Sequence, residues 1–535
     1  MKHRKIFQKT QYLQLALILT CLITAVFNFP AHAWTDGQDA SYVVGQVDFI
    51  SDFAGTSDRE LYWPKDVAID RVNGKLYVAD QINNRVLRFA YPVTTNQPAA
   101  ELVFGQPDFT SVGEGTTRAT LKQPVGVEVD SSGRLWVADR GNHRVLRFDS
   151  AYAISTNQPA ADGVLGQPDF TSNAAATTRN GMAAPYDIAA DDTGTIFVTE
   201  YSNNRVLRFD DAAEKANGDD ADGVLGQPDF TSNTADLSQS GMSSPRGVCL
   251  YYTSLFVADR TNARVLRFDN AAEKADGAEA DGVLGQPDFT SNARVATQSG
   301  MDASARVVVD GSGRLYVSDG FWNDRILIYN DAVDKANGAD ADNVLGQPDF
   351  VSSGAACTQN RLNMDSSGGG LSIDRVTNNL FVGDDGNNRV MNFVESSTAA
   401  PEINLRKGVR YIPNGGTYDF GTHEASTDTI ASFVIENPGG SALVLAGTPI
   451  ITISGADSEQ FYVMLQPTSP VAAHDSTEFQ IVFHPVHPYG AKTVIISIAS
   501  NDSDEDPYNL TITGTSQPYT GENSSGGCFI NTAFH

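Results

Sequence analysis

A segment of 14 or 15 residues recurs along this chain and restricts the folds that the chain can adopt. It reads LYVADQINNRVLRF from Leu76, and close or looser copies begin at Leu135, Ile196, Leu255, Leu315 and Leu380. A second motif, Gly-Gln-Pro-Asp-Phe, separates the copies and begins at Gly105, Gly166, Gly226, Gly285 and Gly346; a variant with Val in place of Pro begins at Gly45. Units of roughly 60 residues indicate a solenoid, a propeller or another repeat array.

Each unit contains four strand patterns and no long helical pattern. In the second unit the patterns lie near residues 127–130, 135–138, 145–148 and 164–166. The second strand is apolar on both of its alternating faces, which predicts a sheet that is buried on both sides. Four-stranded sheets arranged radially bury both faces in this way. The proline of the separating motif indicates the outermost strand, because proline cannot donate to a strand ladder.

The order of the motifs predicts a ring that is closed by its first strand. The chain begins with a fourth-strand motif at Gly45 and completes strands one to three at Phe393. The N-terminal strand would then finish the last sheet and remove an open edge. We therefore predict an all-β protein with a six-bladed β-propeller over residues 34–394.

The repeated motifs resemble the NHL repeat family, in which a first strand ends in Asp, a second reads like LYVAD, and Asn-x-Arg-Val opens the third. The resemblance recurs six times over roughly 350 residues and implies the same six-bladed fold. The units here exceed the family's usual length, and the surplus lies in the loops around the separating motif. The resemblance therefore implies nothing about those loops.

Residues 1–33 have the pattern of a secretory signal peptide: a basic start, an apolar stretch over residues 13–27 and a small-x-small cleavage site at residues 31–33. Removing its four lysines and arginines changes the formal net charge from −28 to about −32. This acidity disfavours nucleic acid and anionic membranes as partners.

We expect an exported monomer, extracellular or at the cell surface with the periplasm as an alternative. It would have no transmembrane span after cleavage, and its partner would be an extracellular or envelope protein, a peptide or a glycan.

Polar residues that recur in every unit are interpreted as architecture. An acid ends each second strand and an arginine begins each third strand, which gives the pairs Asp80–Arg85, Asp139–Arg144, Glu200–Arg205, Asp259–Arg264, Asp319–Arg325 and Asp384–Arg389. We expect each pair to bond across a partly buried turn, so that losing the arginine would cost about 1–3 kcal/mol. A ring of catalytic acids is the alternative, but catalysis needs one asymmetric site rather than six equal ones.

Function is expected where the units differ, in the loops before the first strand and between the second and third strands. In a propeller these loops share one face around the channel mouth. The candidate binding residues in them are Tyr62, Trp63, Lys65, Arg140, Tyr186, Tyr201, Arg246, Arg260, Arg306, Phe321 and Trp322. Aromatic rings and arginines are typical of binding hot spots, so we predict a non-catalytic ligand-binding face.

A channel-mouth enzyme is the alternative function. Some NHL-type propellers resemble lyases that hold zinc through several histidines, but the propeller segment here contains only His143. A catalytic zinc site needs three protein ligands. A divalent metal bound by carboxylates, as in lactonase-like propellers, remains open, with Asp66, Glu128 and Asp187 as candidate ligands. No cofactor is predicted, although the acidic stretches at residues 219–223 and 501–506 leave calcium as a minor option.

The composition changes at a polar linker over residues 395–401, and short alternating strands follow over residues 402–516. These predict a β-sandwich of immunoglobulin type. The wording FVIENPGGSALVL and ISGADSEQFYV is similar to the ASPM–SPD-2–Hydin group and to the choice-of-anchor D domains, which implies a spacer or binding module.

The tail, residues 517–535, is similar to the Cys-Phe-Ile box of bacterial C-termini, so Cys528 is a candidate for surface sorting, with a frayed tail that carries a reactive thiol as the alternative.

Overall fold

A computed structural model describes residues 34–364, 368–395, 401–408, 410–473, 475–502 and 505–518. The predicted signal peptide, most of the predicted linker and the tail with Cys528 lie outside these residues. Within them, no helix has the length and apolar character that crossing a membrane requires. The helical elements of the described part are 3₁₀ helices of three residues each: Arg140–Asn142, Ala151–Ala153, Arg260–Asn262, Ala271–Glu273, Asp385–Asn387 and Ser458–Gln460.

Residues 42–393 form strands of three to seven residues, as the repeated apolar segments predict. In chain order they are β1 (Tyr42–Val44), β2 (Pro64–Asp70), β3 (Lys75–Asp80), β4 (Arg85–Ala90), β5 (Leu102–Phe104), β6 (Pro124–Val129), β7 (Leu135–Asp139), β8 (Arg144–Phe148), β9 (Gly163–Leu165), β10 (Pro185–Ala190), β11 (Ile196–Glu200), β12 (Arg205–Phe209), β13 (Gly223–Leu225), β14 (Pro245–Tyr251), β15 (Ser254–Asp259), β16 (Arg264–Phe268), β17 (Gly282–Leu284), β18 (Ser304–Val309), β19 (Leu315–Asp319), β20 (Arg325–Tyr329), β21 (Asn343–Leu345), β22 (Leu371–Ile373), β23 (Leu380–Asp384) and β24 (Arg389–Phe393).

These strands pair into antiparallel sheets of four, each built from strands that follow one another in the chain. Sheet 1 contains β2–β5, sheet 2 β6–β9, sheet 3 β10–β13, sheet 4 β14–β17 and sheet 5 β18–β21. Sheet 6 contains β22, β23, β24 and β1, because β1 pairs with β24 from Tyr42 opposite Asn392 to Val44 opposite Val390. This is the ring-closing pairing that the order of the motifs predicts.

The sheets are arranged in a ring that closes on itself. The first strand of each sheet packs against the first strands of the sheets on either side, including β2 against β22. A separate apolar cluster fills each space between adjacent sheets. The cluster between sheets 6 and 1 joins Val44, Phe381 and Val390 to Leu76 and Val78. Each sheet is therefore buried on both faces, which explains why its second strand is apolar throughout.

The separating motif lies after the outermost strand rather than in it. In sheet 2, for example, β9 ends at Leu165 and the motif begins at Gly166. The expectation that Pro168 belongs to an edge strand was therefore wrong by a few residues. The motif instead forms the turn that leads back to the next sheet, where a residue without a backbone N–H is equally tolerated.

The C-terminal region, residues 404–517, forms two sheets. Its strands are β25 (Asn404–Lys407), β26 (Arg410–Tyr411), β27 (Thr417–Glu424), β28 (Thr429–Asn437), β29 (Ala446–Ser454), β30 (Phe461–Leu465), β31 (Asp475–Phe483), β32 (Gly490–Ala499) and β33 (Tyr508–Gln517). One sheet has the order β26-β25-β28-β31-β30 and the other β27-β33-β32-β29. One apolar cluster joins them, in which the ring of Phe420 in β27 lies 5.7 Å from that of Phe483 in β31.

Candidate functional site

The six repeated acid–arginine pairs lie at the turn between the second and third strands of each sheet. Nε of Arg144 donates to Oδ2 of Asp139 at 2.8 Å, and the equivalent contact forms in the other five sheets. Both side chains of every pair have no exposed surface. The expected partly buried turn is therefore a fully buried one, because two loops cover it.

Each of these arginines also bonds the backbone of those two loops. Nη1 of Arg144 donates to the carbonyl oxygen of Phe170, the last residue of the following separating motif, at 2.6 Å. Its Nη2 donates to the carbonyl oxygens of Thr117 and Thr120, in the loop before β6, at 2.8 and 3.1 Å. The other five arginines make the same contacts with their own loops. One guanidinium thus holds three segments of each unit together.

The glutamine of each separating motif also bonds the turn between the second and third strands and the loop that follows the motif. Nε2 of Gln167 donates to the carbonyl oxygens of His143 and Ala174, both at 2.9 Å, and the other five units repeat this bridge. Each motif glycine has a φ between +79° and +92°, a region that favours glycine. The long loops around the separating motif are therefore bonded to their own sheet. The recurrence of the glutamine in every unit was the sequence feature that indicated this role.

The candidate binding residues differ widely in exposure. Phe321, Trp322 and Tyr62 are exposed, and Trp322 keeps 68% of its surface accessible. Trp63, Arg140, Tyr201 and Arg260 are half-buried. The remaining four are buried: Lys65, Tyr186, Arg246 and Arg306.

These four buried residues correct the prediction that they lie in loops before the first strand. They belong to the first strands themselves: Lys65 to β2, Tyr186 to β10, Arg246 to β14 and Arg306 to β18. In the sequence, the apolar runs that marked these strands begin after the four residues. In the structure, strand pairing begins before them and continues across a shift in register, such as that between Pro64 and Asp66. A β-bulge carries no apolar pattern and was therefore missed.

Arg306 lies at the centre of the ring, where it contacts sheets that are not its neighbours. Its Nη1 is 2.6 Å from Oδ1 of Asp187 in sheet 3 and 3.7 Å from Oδ2 of Asp66 in sheet 1. Its Nη2 donates to the carbonyl oxygens of Lys65 and Val125 at 3.3 and 3.2 Å. Burial raises the pKa of Asp66, and the charge of Arg306 offsets part of that rise. The guanidinium thus ties sheets 1, 3 and 5 together.

In the three other sheets, glycine occupies the position equivalent to Asp66, Asp187 and Arg306: Gly126 in β6, Gly247 in β14 and Gly370 just before β22. A Cβ on Gly370 would lie 2.3 Å from Cα of Asp66, and one on Gly247 would lie 2.5 Å from Cα of Arg306. The neighbouring first strand passes too close for any side chain there. This alternation of charged residues and glycines leaves room for three charged side chains to meet at the centre.

The same geometry bears on the hypothesis of a carboxylate-bound metal. Asp66 and Asp187 come together, but both contact the guanidinium of Arg306, whose positive charge opposes a divalent cation in that position. Glu128 keeps some accessible surface, yet the surrounding protein desolvates it, and burial together with Asp187 and Asp66 raises its pKa to about 8. Asp66 and Asp187 therefore do not fit a metal while Arg306 is in place, and Glu128 alone would supply one carboxylate.

A different acidic group lies in the C-terminal region. Carboxylate oxygens of Glu402, Asp502 and Glu505 lie within 4.8 Å of one another, partly within the acidic stretch for which calcium was a minor option. Asp502 is buried and its Oδ2 accepts the backbone N–H of Ile403 at 2.8 Å. Oxygen ligands of this kind suit calcium, so these are the described residues that could hold a cation.

His143 lies in the turn between β7 and β8 and contacts the next sheet. Its Nδ1 accepts the backbone N–H of Ala184 at 3.0 Å. In other sheets the side-chain oxygen of the residue at this position does the same, as between Asn84 and Gln123 at 2.8 Å. Nδ1 must be unprotonated to accept, and burial, Arg140 and Lys122 lower the pKa of His143. His143 therefore links two sheets.

His143→Asn is expected to reduce the loss of stability at acidic pH. Because the folded-state pKa is lowered, the stabilisation from neutral His143 is complete above its ordinary pKa of about 6.5 and declines as pH falls below that value. Asparagine keeps the acceptor without titrating, as Asn84 does. Urea unfolding at pH 7.5 and 5.5 should give parent and variant free energies within about 1 kcal/mol at the higher pH and a smaller acid loss for the variant. An equal acid loss for both would contradict this role.

Comparison with known proteins supports the repeat and the all-β fold. The family model of the NHL repeat matches residues 121–148, which contain β6, β7, the following turn and β8. No curated protein matches the chain significantly. Together with the ring of four-stranded sheets, the match supports an NHL-like propeller.

Several solved structures show a distant likeness. A streptogramin B lyase structure is 10% identical and has a TM-score of 0.36, covering 64% of this chain and 95% of its own. A gluconolactonase from Xanthomonas campestris is 15% identical with a TM-score of 0.35, covering 67% and 99%. The extracellular domain of a hybrid two-component system from B. thetaiotaomicron is 12% identical with a TM-score of 0.36, covering 85% and 57%. Likeness at this level assigns no activity to this chain.

Proposed function

We propose that the chain is an exported, non-catalytic binding or scaffold protein. Its six four-stranded sheets would be the blades of an NHL-type propeller that presents a ligand-binding face. The C-terminal pair of sheets would be an immunoglobulin-like domain that spaces this face from a surface, with Cys528 as the candidate anchor. The signal-peptide pattern of residues 1–33 and the acidic composition support export.

One observation carries this proposal: the polar pairs that every unit repeats are buried, whereas an aromatic pair that no other unit has is exposed. The repeated acid–arginine pairs have no exposed surface, whereas Phe321 and Trp322 stand in a turn that no other unit reproduces. That turn is one residue longer than the equivalent turns, and its two rings contact each other edge to face at 4.9 Å. Unrepeated exposed aromatic side chains of this kind are typical of binding hot spots.

Trp322→Ala is expected to leave the melting temperature within about 2 °C of the parent and to weaken ligand binding by about 30-fold, or 2 kcal/mol. The ring has little protein contact to lose, but it would be buried against a ligand. Biotin-labelled protein of residues 34–535 should be tested against a panel of glycans, peptides and envelope proteins, followed by titration of each ligand found. The matched control is Val72→Ala, which removes another exposed apolar side chain from the turn between β2 and β3.

Ligands that bind Trp322→Ala as tightly as the parent would contradict the proposed face, and equal weakening by Val72→Ala would show a nonspecific apolar effect. Metal analysis of the same protein tests the enzyme alternative. A stoichiometric, tightly held transition metal would favour the lyase or lactonase class over the binding function.

A further inference from the structure

Two neighbouring units carry an exposed aliphatic side chain where the other four units carry threonine. The threonine follows the separating motif, and its Oγ1 donates to the aspartate of that motif at 2.8 or 2.9 Å. Ile50, after β1 of sheet 6, and Val351, after β21 of sheet 5, occupy this position in the remaining units and are 74% and 69% exposed. An aliphatic side chain cannot form the threonine's bond and exposes apolar surface to water, which favours a role in binding over a role in the turn.

The loop after β1 departs from the repeat at two further positions. Val47 replaces the proline of the separating motif, and Phe53 stands where the other units have glycine, alanine or threonine. Both side chains are exposed. The carbonyl oxygen of Phe53 still accepts Nε2 of Gln46 at 2.8 Å, as the equivalent carbonyl does in the other units. The backbone of the loop therefore keeps the repeated geometry while its side chains add apolar surface.

Backbone contacts place these loops beside the exposed aromatic turn of sheet 5. The N–H of Gly354 donates to the carbonyl oxygen of Trp322 at 3.0 Å. Three residues further along the same loop, Sγ of Cys357 donates to the carbonyl oxygen of Ser51 at 3.4 Å. The loop after β21 therefore lies between the aromatic turn of sheet 5 and the loop after β1.

The exposed apolar side chains of these three segments form one surface, which we call the apolar band. It comprises Val47, Ile50, Phe53, Phe321, Trp322 and Val351. Within residues 34–364 and 368–395, the other exposed large apolar side chains are Tyr62, which lies in the loop after β1, and Val72, Val112 and Val295, which lie in other units. Exposed apolar surface that is concentrated in one sector of a protein is typical of an interaction site.

The loops that carry most of the band are acidic. Residues 45–61 and 346–362 contain five acids and two arginines. Each arginine donates to a backbone carbonyl: Arg59 to Gln97 at 2.7 Å and Arg361 to Gly354 at 2.8 Å. Asp52, by contrast, is exposed between two apolar residues of the band. This part of the surface therefore combines apolar contact with negative charge.

The charge of the band differs between its two ends. Arg260 lies against Phe321, with its guanidinium carbon 5.9 Å from that ring, so the aromatic turn has a cation beside it. The acidic end is the one formed by the loops after β1 and β21. A partner that covers the whole band would therefore place its positive charges at the loops and an apolar side chain at the aromatic turn.

We infer that the apolar band binds a peptide segment of another protein that carries lysine or arginine between aromatic or aliphatic side chains. This inference rests on the proposed ligand-binding face and adds the class of its partner. The apolar side chains of the peptide would cover the band, and its cations would lie beside the acidic loops. A second copy of this chain would bring the same acidic loops and a formal net charge of −28, so like charges oppose self-association through this surface.

The test compares three synthetic peptides. The probe is Lys-Phe-Lys-Leu-Lys-Phe, one analogue has glutamate in place of each lysine, and the other has serine in place of each apolar residue. Fluorescence-polarisation titrations with residues 34–535 at low ionic strength are expected to give a Kd of about 100 μM for the probe and binding about tenfold weaker for each analogue.

The double variant Ile50→Thr/Val351→Thr restores the residue that the other four units have. It should weaken binding of the probe about tenfold and leave the melting temperature within about 2 °C of the parent. The matched control is Val112→Asn, because Val112 is also exposed after a separating motif and three other units have asparagine at its position. This control should leave the Kd unchanged. Asp52→Asn should weaken binding about threefold and reduce its dependence on salt.

Three titration results would overturn the inference. They are an absence of saturable binding of the probe up to about 1 mM, equal binding of the glutamate analogue, and an unchanged Kd in the double variant, which would show that the acidic protein attracts the probe elsewhere. Sedimentation of the parent as a dimer that the double variant abolishes would assign the band to a second copy and would also overturn it.

Failure of this inference is distinguishable from failure of the proposed function. A ligand whose binding is lost in Trp322→Ala but retained in Ile50→Thr/Val351→Thr would preserve the binding face and remove the acidic loops from it.

Discussion

Arg306→Ala is expected to lower the free energy of unfolding by about 3–5 kcal/mol. The substitution leaves Asp66 and Asp187 buried at the centre of the ring without their shared cation and removes two hydrogen bonds to backbone carbonyls. Urea unfolding at pH 7.5 measures the change. Arg294→Ala is the control, because Arg294 is 37% exposed and its Nη1 lies 3.6 Å from Oδ1 of the buried Asp302. A long contact from an exposed arginine should contribute at most about 1 kcal/mol.

The same variant also tests whether the guanidinium excludes a divalent cation. With Arg306 absent, the two carboxylates would repel each other unless a cation or a proton joins them. Millimolar Mn²⁺ should therefore raise the melting temperature of Arg306→Ala and leave that of the parent unchanged. For the stability prediction, a decrease in the free energy of unfolding of Arg306→Ala below about 1 kcal/mol would show that Arg306 does not hold the three sheets together.

Arg144→Ala is the second large effect that we expect, again about 3–5 kcal/mol. The sequence alone suggested about 1–3 kcal/mol because it predicted a partly buried turn. The structure shows a guanidinium with no exposed surface that bonds Asp139 and three backbone carbonyls. Its removal leaves a buried carboxylate and releases two loops, so the larger value applies.

Arg134→Ala is the control for this prediction. Arg134 lies just before β7, at the opposite end of that strand from Asp139. It is 29% exposed and contacts Asp130 and Asp149 at 3.5 Å, so its loss should cost less than about 1 kcal/mol. Thermal melts and urea titrations of both variants make the comparison. If Arg144→Ala melts like the parent while Trp322→Ala unfolds, the assignment of architecture and binding would be reversed.

Much of the architecture could be predicted because it repeats. A residue that recurs in six units must satisfy the same environment six times, so the pairing of Asp139 with Arg144 could be predicted from spacing. The pairing of β1 with β24 could be predicted from the order of the motifs. The exposure of Trp322 was predictable for the converse reason, since its turn has no equivalent in the other units.

Asp66, Asp187 and Arg306 were each predicted to have a role, but nothing in the sequence indicated that they meet at the centre of the ring. Asp66 and Asp187 were considered as metal ligands, and Arg306 was considered as a surface residue of the binding face. Their meeting depends on bulges at the start of the first strands and on close backbone contacts at Gly126, Gly247 and Gly370. Neither feature leaves an apolar period in the sequence.

The sequence by itself determined the repeat, the four strands of each unit, the closure by the N-terminal strand and the identity of the repeated polar pairs. These follow from local hydrophobic pattern and from spacing, which are properties of neighbours along the chain. Only the tertiary structure decided which charges share the centre of the ring and which arginines lie against the rings of Tyr186 and Tyr201. Those contacts join residues as far apart as Lys65 and Arg306. Their protonation and charge balance depend on burial, which the ring creates only when it closes.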